Sequence, residues 1–430
     1  MDSGSYGTLT RSPEASAHSR VQPGVSKILM IAYACNPEGG GEHWLGWGWA
    51  EQAAKNYSVH LLTTAKHRAE IERHASRHGI TPHFLGLPDG LRQVSERLGG
   101  VGRWWRKMAW QARAAKLAEA LHAQERFQIV HQTTFHTFRV PFLAARLGIP
   151  SVWGPVAGGE SVPPGFGGVL GTARFGETAR RLANQFWLAF PPVQRSLAQA
   201  STIFVSNRTT LEFLPEPVRA RCVVLPPNAL RPEEEHFPEP AARATADTFH
   251  LLYVGNCVAT RALPLVFAAL RHSGLKNLRL TVVGSGPELM RWRRLVEKFK
   301  LGDSVEFTGQ VTRDKLPELY GRADALVFPA LRDSGGSALL EAMARGVPVI
   351  CLDWAGPGEM VDANSGVKIP VRDRAETVAA LAAAIARLQA LPELRRALAR
   401  AARERAFAQF RWEAKAQLLT TTYHRLLAAT

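Results

Sequence analysis

The chain has 430 residues, 46% hydrophobic and 21% charged, which excludes general disorder and calls for two domains rather than one core. A formal net charge of +16 points to an acidic partner, whether a phosphorylated substrate, an anionic membrane or a nucleic acid. Cys35, Cys222, Cys257 and Cys351 stand singly, against a zinc site or a disulfide framework and for a reducing compartment, and no apolar run reaches the ~18 residues of a spanning helix.

Residues 1–26 are rich in Ser, Pro, Gly and Ala, lack apolar periodicity and a signal-peptide pattern, and are expected to form a flexible tail. KILMIAY, residues 27–33, reads as a buried strand, followed by the loop Gly39-Gly40-Gly41 and a helix through Trp44 to Ala54. Apolar runs at 59–63, 128–131, 151–153, 202–206 and 222–225 alternate with helical segments such as 117–124 and 141–147, the pattern of a parallel sheet covered on both faces. This first unit covers 27–230. Residues 231–248, dense in Pro, Glu and Ala, read as a linker. A second α/β unit covers 249–410, with strands expected at 249–254, 278–283, 305–307, 325–328, 347–352 and 367–369. The last segment, 411–430, is a helix expected to pack back on the first domain.

Residues 328–348, FPALRDSGGSALLEAMARGVP, carry the strongest chemical signal. A strand ends at Phe328, a loop brings Asp333, Gly335 and Gly336, and a helix carries Glu341. Glycines let backbone approach a ligand, and a helix N-terminus offers unpaired N–H groups to an anion. Two carboxylates eight positions apart can bind hydroxyls beside that seat, which suits a nucleotide sugar. Gly255 closes another strand and is followed by Arg261, a cation placed for a diphosphate, while Gly284 and Gly286 follow the next strand.

Taken in order, YVG with Arg261, VVGSGP, VEFTG, and FPAL-Asp333-LLEAMARGVPVI resemble the retaining glycosyltransferases of family 4. KILMIAYACNPEGGGEHWLGWGWA, VHQTTFHTFRVP, GIPSVWGPVAGGE and LPPNAL extend the resemblance over the first half. It implies an α/β protein of GT-B fold, two Rossmann-like domains facing across a cleft. It further implies that Glu341 holds the donor ribose. Asp333 with Ser334, Gly335 and Gly336 would contact the transferred sugar and its phosphate, and Arg261 would neutralise the diphosphate. Thr308 would lie by the base, Gly41 and Glu42 would face the cleft, and His131 would line the sugar pocket with Asp333 as a catalytic residue. His136 competes for the histidine role, and Arg139, Trp153 and Glu160 would border the cleft. Asp333 stands where the family usually has Glu, and Asn256 where it usually has Arg. No D-x-D occurs, in keeping with an enzyme that uses neither metal nor cofactor.

The implied reaction moves a sugar from a nucleotide diphosphate sugar to a glycan or lipid-linked acceptor, in exopolysaccharide or glycolipid assembly. Residues 101–114, VGRWWRKMAWQARA, join basic residues to tryptophans in a way that suits an anionic membrane surface, so the expected location is cytoplasmic and peripheral to the membrane. Two alternatives stay open: a nucleotide-sugar epimerase of GT-B fold, and a non-catalytic binder of nucleotide sugar or polyanion. Nucleic acid is not expected, since no sheet of aromatics offers a stacking platform.

Overall fold

A computed structural model describes residues 26–87, 95, 97, 99–235, 237 and 248–429. The tail expected before residue 26, and the part of the expected linker at 236 and 238–247, lie outside these residues. The described chain forms two parallel sheets in succession.

The first sheet holds β1 (Lys27–Ala32), β2 (Ser58–Thr64), β3 (Ile80–Leu85), β4 (Ile129–Gln132), β5 (Ser151–Val156), β6 (Thr202–Val205) and β7 (Cys222–Val224), in the order β3-β2-β1-β4-β5-β6-β7. The second holds β8 (Phe249–Val254), β9 (Leu278–Val283), β10 (Val305–Gly309), β11 (Ala325–Phe328), β12 (Val349–Leu352) and β13 (Gly366–Ile369), in the order β10-β9-β8-β11-β12-β13. Central strands are mostly apolar because helices cover both faces. In β1 every residue after Lys27 is buried. One strand was not expected: β3, ITPHFL, carries Pro82, an exposed Thr81 and a part-buried His83, and it tolerates them because it is an edge strand paired only with β2. The segment 141–147, expected as a helix, forms only a short 3₁₀ turn, Leu143–Leu147.

Helix Glu42–Ala54 is buried on most sides, and the C-terminal helix Trp412–Ala428 supplies its outer cover. Trp412 packs edge-on against Trp44 and Trp49, with ring centroids 5.5 and 5.2 Å away. The indole occupies the space left by a missing side chain, since a Cβ on Gly48 would lie 2.0 Å from the Trp412 ring.

The chain crosses between domains twice, and the crossings hydrogen-bond to each other. The Leu230 amide donates to the Phe410 carbonyl (2.7 Å) and the Lys415 ammonium to the Pro226 carbonyl (2.5 Å). Burial lowers the Lys415 pKa to about 7. A third connection follows β5, where Phe166, Val169 and Leu170 are buried in the core of the second domain. Beside it, Trp354 of that domain donates to the Ser161 carbonyl at 3.0 Å.

Candidate active site between the two sheets

In each sheet the strand order reverses once, between β1 and β4 and between β8 and β11. Open parallel sheets bind ligands beyond the carboxyl ends of strands at such a reversal, because the connections there part to opposite faces and leave a crevice. A cleft of about 280 Å³ lies there. From the first domain it is lined by His136 and Arg139 after β4, Glu160 after β5, and Arg180. From the second come Arg261 after β8, and Arg332, Asp333 and Ser334 after β11.

The loop after β11 is folded around its own carboxylate. Oδ1 of Asp333 accepts from the amides of Gly335 (2.8 Å) and Gly336 (3.0 Å), and Oδ2 pairs with Arg261. Gly336 adopts φ 71°, which an L side chain resists, and caps helix Ser337–Ala344. A Cβ on Gly335 would come within 2.8 Å of the Asn228 side chain, so the crossing segment after β7 packs directly on this loop. The amides expected to seat an external anion are therefore held by an internal one. Arg261 also lies over the Phe328 ring, 5.0 Å from its centroid, and burial lowers its pKa.

Glu341 sits further along helix Ser337–Ala344. It accepts from the Tyr320 hydroxyl at 3.0 Å and shares its surroundings with Arg345, Arg231 and Glu234. Arg231 links this region to the first domain: its guanidinium donates to the Gly39 carbonyl (3.3 Å) and lies over the Trp44 ring.

The histidine assignment is corrected. His131 is fully buried in the first domain, with Nδ1 2.6 Å from the Tyr423 hydroxyl and Nε2 2.9 Å from the Gly154 carbonyl, so both ring nitrogens are used by the fold. Burial lowers its pKa to about 4. The histidine at the cleft is His136. Its backbone amide donates to Glu42 (2.9 Å), which ties the loop after β4 to the first turn of helix Glu42–Ala54. Its Nε2 has no hydrogen-bond partner, and burial lowers its pKa so that the ring is neutral near pH 7.

Other expected residues divide. Ser334 lines the cleft, and Gly41, at φ 56°, precedes the helix that Glu42 begins. Gly255, Gly284 and Gly286 serve packing between adjacent loops: a Cβ would lie 2.0 Å from the Gly255 carbonyl oxygen at Gly284, and 2.5 Å from that of Cys257 at Gly286. Thr308 is exposed near the end of β10, its hydroxyl 3.1 Å from the Gly309 carbonyl. Trp153 fills the core. Glu160 is buried, accepting from Gly158 N (2.8 Å), Asn207 (2.8 Å) and Thr210 (3.2 Å), so it holds a loop and is not free for proton transfer.

Sequence reasoning did not single out Arg180 and Arg332. Arg180 comes from helix Ala173–Ala189 and donates to the Gly158 carbonyl at 3.1 Å; Arg332 pairs with Glu177 of the same helix at 3.2 Å. Burial, reinforced by Arg332 and Arg139, lowers Arg180 to about 10, so it is still charged at neutral pH. Four guanidinium groups thus converge on one cleft, a setting for a polyphosphate.

Solved structures share this architecture. Sucrose-phosphate synthase (tll1590) from Thermosynechococcus elongatus superposes with a TM-score of 0.61 at 22% identity, covering 94% of this chain and 100% of that one. Anabaena Alr3699/HepE in complex with UDP-glucose gives 0.56 at 14%, covering 93% and 99%. The chain has the GT-B fold. Within it, residues 233–405 match the family model described as glycosyl transferases group 1, so the match falls on the second GT-B domain, which holds Arg261, Asp333 and Glu341.

Among known sequences, a glycogen synthase of Mycobacterium tuberculosis is 31% identical over 193 residues, 44% of this chain and 45% of that protein. A GDP-mannose-dependent alpha-(1-6)-phosphatidylinositol monomannoside mannosyltransferase of the same organism is 36% identical over 148 residues, 33% and 37% of the two chains. The chain spans less than half the length of these curated relatives.

Proposed function

We propose that this protein is a retaining glycosyltransferase that moves a sugar from a nucleotide diphosphate sugar to an acceptor hydroxyl, without a metal. The observation that carries the reading is the arginine-lined cleft at the strand-order reversal of both sheets. The group 1 match over residues 233–405 and the UDP-glucose named with HepE support it.

In this reading the donor diphosphate takes the seat that Asp333 fills in the free protein, bonding to Arg261 and to the amides of Gly335 and Gly336. The displaced carboxylate then faces the transferred sugar. Glu341, oriented by Tyr320, holds the ribose hydroxyls, and the neutral His136 ring offers Nε2 to a sugar hydroxyl. The bond from the anomeric carbon to the phosphate oxygen breaks with its electron pair going to phosphate, and the acceptor oxygen bonds the same face of that carbon. The acceptor proton passes to the leaving phosphate, so no protein base is needed. The arginines favour the step by stabilising charge that builds on the phosphate.

A glycan or a lipid-linked molecule is the acceptor class. The four cysteines are unpaired, which supports a reducing, cytoplasmic setting. Among the described residues no single helix is long and apolar enough to cross a membrane.

The test is thermal stabilisation by UDP-, GDP- and ADP-sugars, followed by transfer with the stabilising donor and determination of the product's anomeric configuration by NMR. A product of inverted configuration, wild-type turnover in Asp333→Ala and Glu341→Ala, or the absence of stabilisation by any nucleotide sugar, overturns the proposal.

A further inference from the structure

Helix Ala173–Ala189 has two faces with different partners. Glu177, Arg180 and Asn184, spaced at three and four residues, point to the interdomain cleft. Arg180 and Asn184 donate to the Gly158 carbonyl, and Glu177 meets Arg332 across the cleft. Phe175, Leu182 and Phe186 recur at intervals of seven and four, which places them together on the opposite face. They are 66%, 66% and 63% exposed.

The N-terminal part of helix Gly99–Glu125 extends this apolar face. Trp104 packs on Trp187 with centroids 4.5 Å apart, joining the two helices, and Val101 and Trp105 beside it are 64% and 61% exposed. Five of the seven large apolar side chains found exposed among the described residues therefore lie on these two helices. Scattered exposed apolar residues need no explanation, but a cluster of this kind marks a contact surface.

The charge around it has one sign. Arg103, Arg113, Arg174 and Arg181 are exposed, and no Asp or Glu occurs between Gly99 and Ala118. The helix Ala173–Ala189 has a single carboxylate, Glu177, and it is turned to the cleft. Tryptophan and phenylalanine bordered by arginine match the headgroup region of an anionic bilayer, where aromatic rings enter the interface and guanidinium groups meet phosphates.

We propose that this two-helix face docks on an anionic lipid surface. The same helix then turns its apolar face to the membrane and its polar face to the cleft, so an acceptor held in the bilayer can present its headgroup to the site. The docking is independent of the chemistry; only the acceptor's identity as a lipid-linked molecule rests on the glycosyl transfer reading.

The test is co-sedimentation of the full chain with phosphatidylcholine vesicles containing or lacking phosphatidylglycerol, over a range of salt concentrations. Wild type is expected to bind the anionic vesicles, weaken as salt rises, and remain monomeric without vesicles. The double variant Leu182→Ser/Phe186→Ser removes two exposed apolar groups and is expected to lower vesicle affinity by at least about tenfold. A charge variant, Arg174→Gln/Arg181→Gln, is expected to bind less tightly and with a shallower salt dependence. UDP-induced thermal stabilisation, measured without vesicles, should be unchanged in both. Failure of wild type to bind anionic vesicles, equal binding by wild type and both variants, or burial of the face in a solution dimer overturns the inference. Loss of UDP stabilisation in wild type instead counts against the glycosyl transfer reading alone.

Discussion

Replacing Asp333 with Asn separates two roles that alanine would merge. The amide oxygen can still accept from the Gly335 and Gly336 amides, so the loop keeps its shape. The contact that changes is with Arg261, where a carboxylate becomes a neutral group. Neither partner is well solvated, with side-chain exposures of 21% for Arg261 and 10% for Asp333, so solvent does not cancel the pair. Hydrogen bonds to charged groups contribute about 1.5–3 kcal/mol. A donor phosphate that must displace Asp333 loses part of that from its own binding energy. Taking the low end, release of Arg261 should tighten UDP binding by about tenfold. Transfer should fall by about a hundredfold or more, because the charge facing the reacting sugar is gone. Calorimetric titration with UDP, alongside initial rates with the matching nucleotide sugar, reads the two effects separately. UDP binding weakened to the level of Arg261→Ala would refute the displacement argument.

Other outcomes follow from the same geometry. Glu341→Gln should raise the donor KM by at least about tenfold with little change in Tm, since the Tyr320 hydroxyl keeps its contact with the Ala338 carbonyl at 3.1 Å. His136→Ala should lower kcat/KM, and His136→Gln, which keeps a polar group there, should restore part of it, because Nε2 has no protein partner while the ring also bonds the Thr133 backbone. His131→Ala should instead cost about 2–4 kcal/mol in urea denaturation by leaving a cavity and two groups unpaired. Burial holds His131 near pKa 4, against about 6.5 in the unfolded chain, so the unfolded state binds the extra proton between those values. Its contribution to stability is present above pH 6.5 and is lost as pH falls toward 4, at up to about 1.4 kcal/mol per pH unit, and that slope should vanish in His131→Ala. Gly48→Ala would drive a Cβ into the Trp412 ring and should destabilise the protein by about 1–3 kcal/mol, with a change in near-UV circular dichroism as the indole moves.

The alternation of apolar runs and helices was legible, because buried parallel strands are mostly apolar and a single polar residue, such as His250 in β8 or Arg279 in β9, does not hide the run. Strands β8, β9 and β11 start and end where the apolar residues do. β3 was not legible: an edge position permits Pro82 and polar neighbours, and those residues conceal the strand in a reading based on apolar runs. At the site, Arg261 and Asp333 announced themselves through glycine loops after strands. Arg180 carried no such mark, since a helical arginine becomes a cleft residue only when a second domain is placed opposite it. The two histidines show the same limit. His131 stands near the carboxyl end of β4, where a ligand-binding residue is expected, yet the hydroxyl that claims it lies on Tyr423, 292 positions away. Gly284 and Gly286 look like phosphate loops in sequence, but their neighbours in space are backbone carbonyls of the adjacent loop.

The connections between the domains also bear on how the cleft could open. The paired crossings tie two chain segments together: the Leu230 amide bonds the Phe410 carbonyl and the Lys415 side chain bonds the Pro226 carbonyl, so parting the domains at this end requires both bonds to break. The arm after β5 adds a second tie, since Phe166, Val169 and Leu170 are buried in the second domain's core and would meet water if the sheets parted there. Helix Ala173–Ala189 follows that arm directly, so the same stretch of chain that anchors in the second domain carries Arg180 into the cleft.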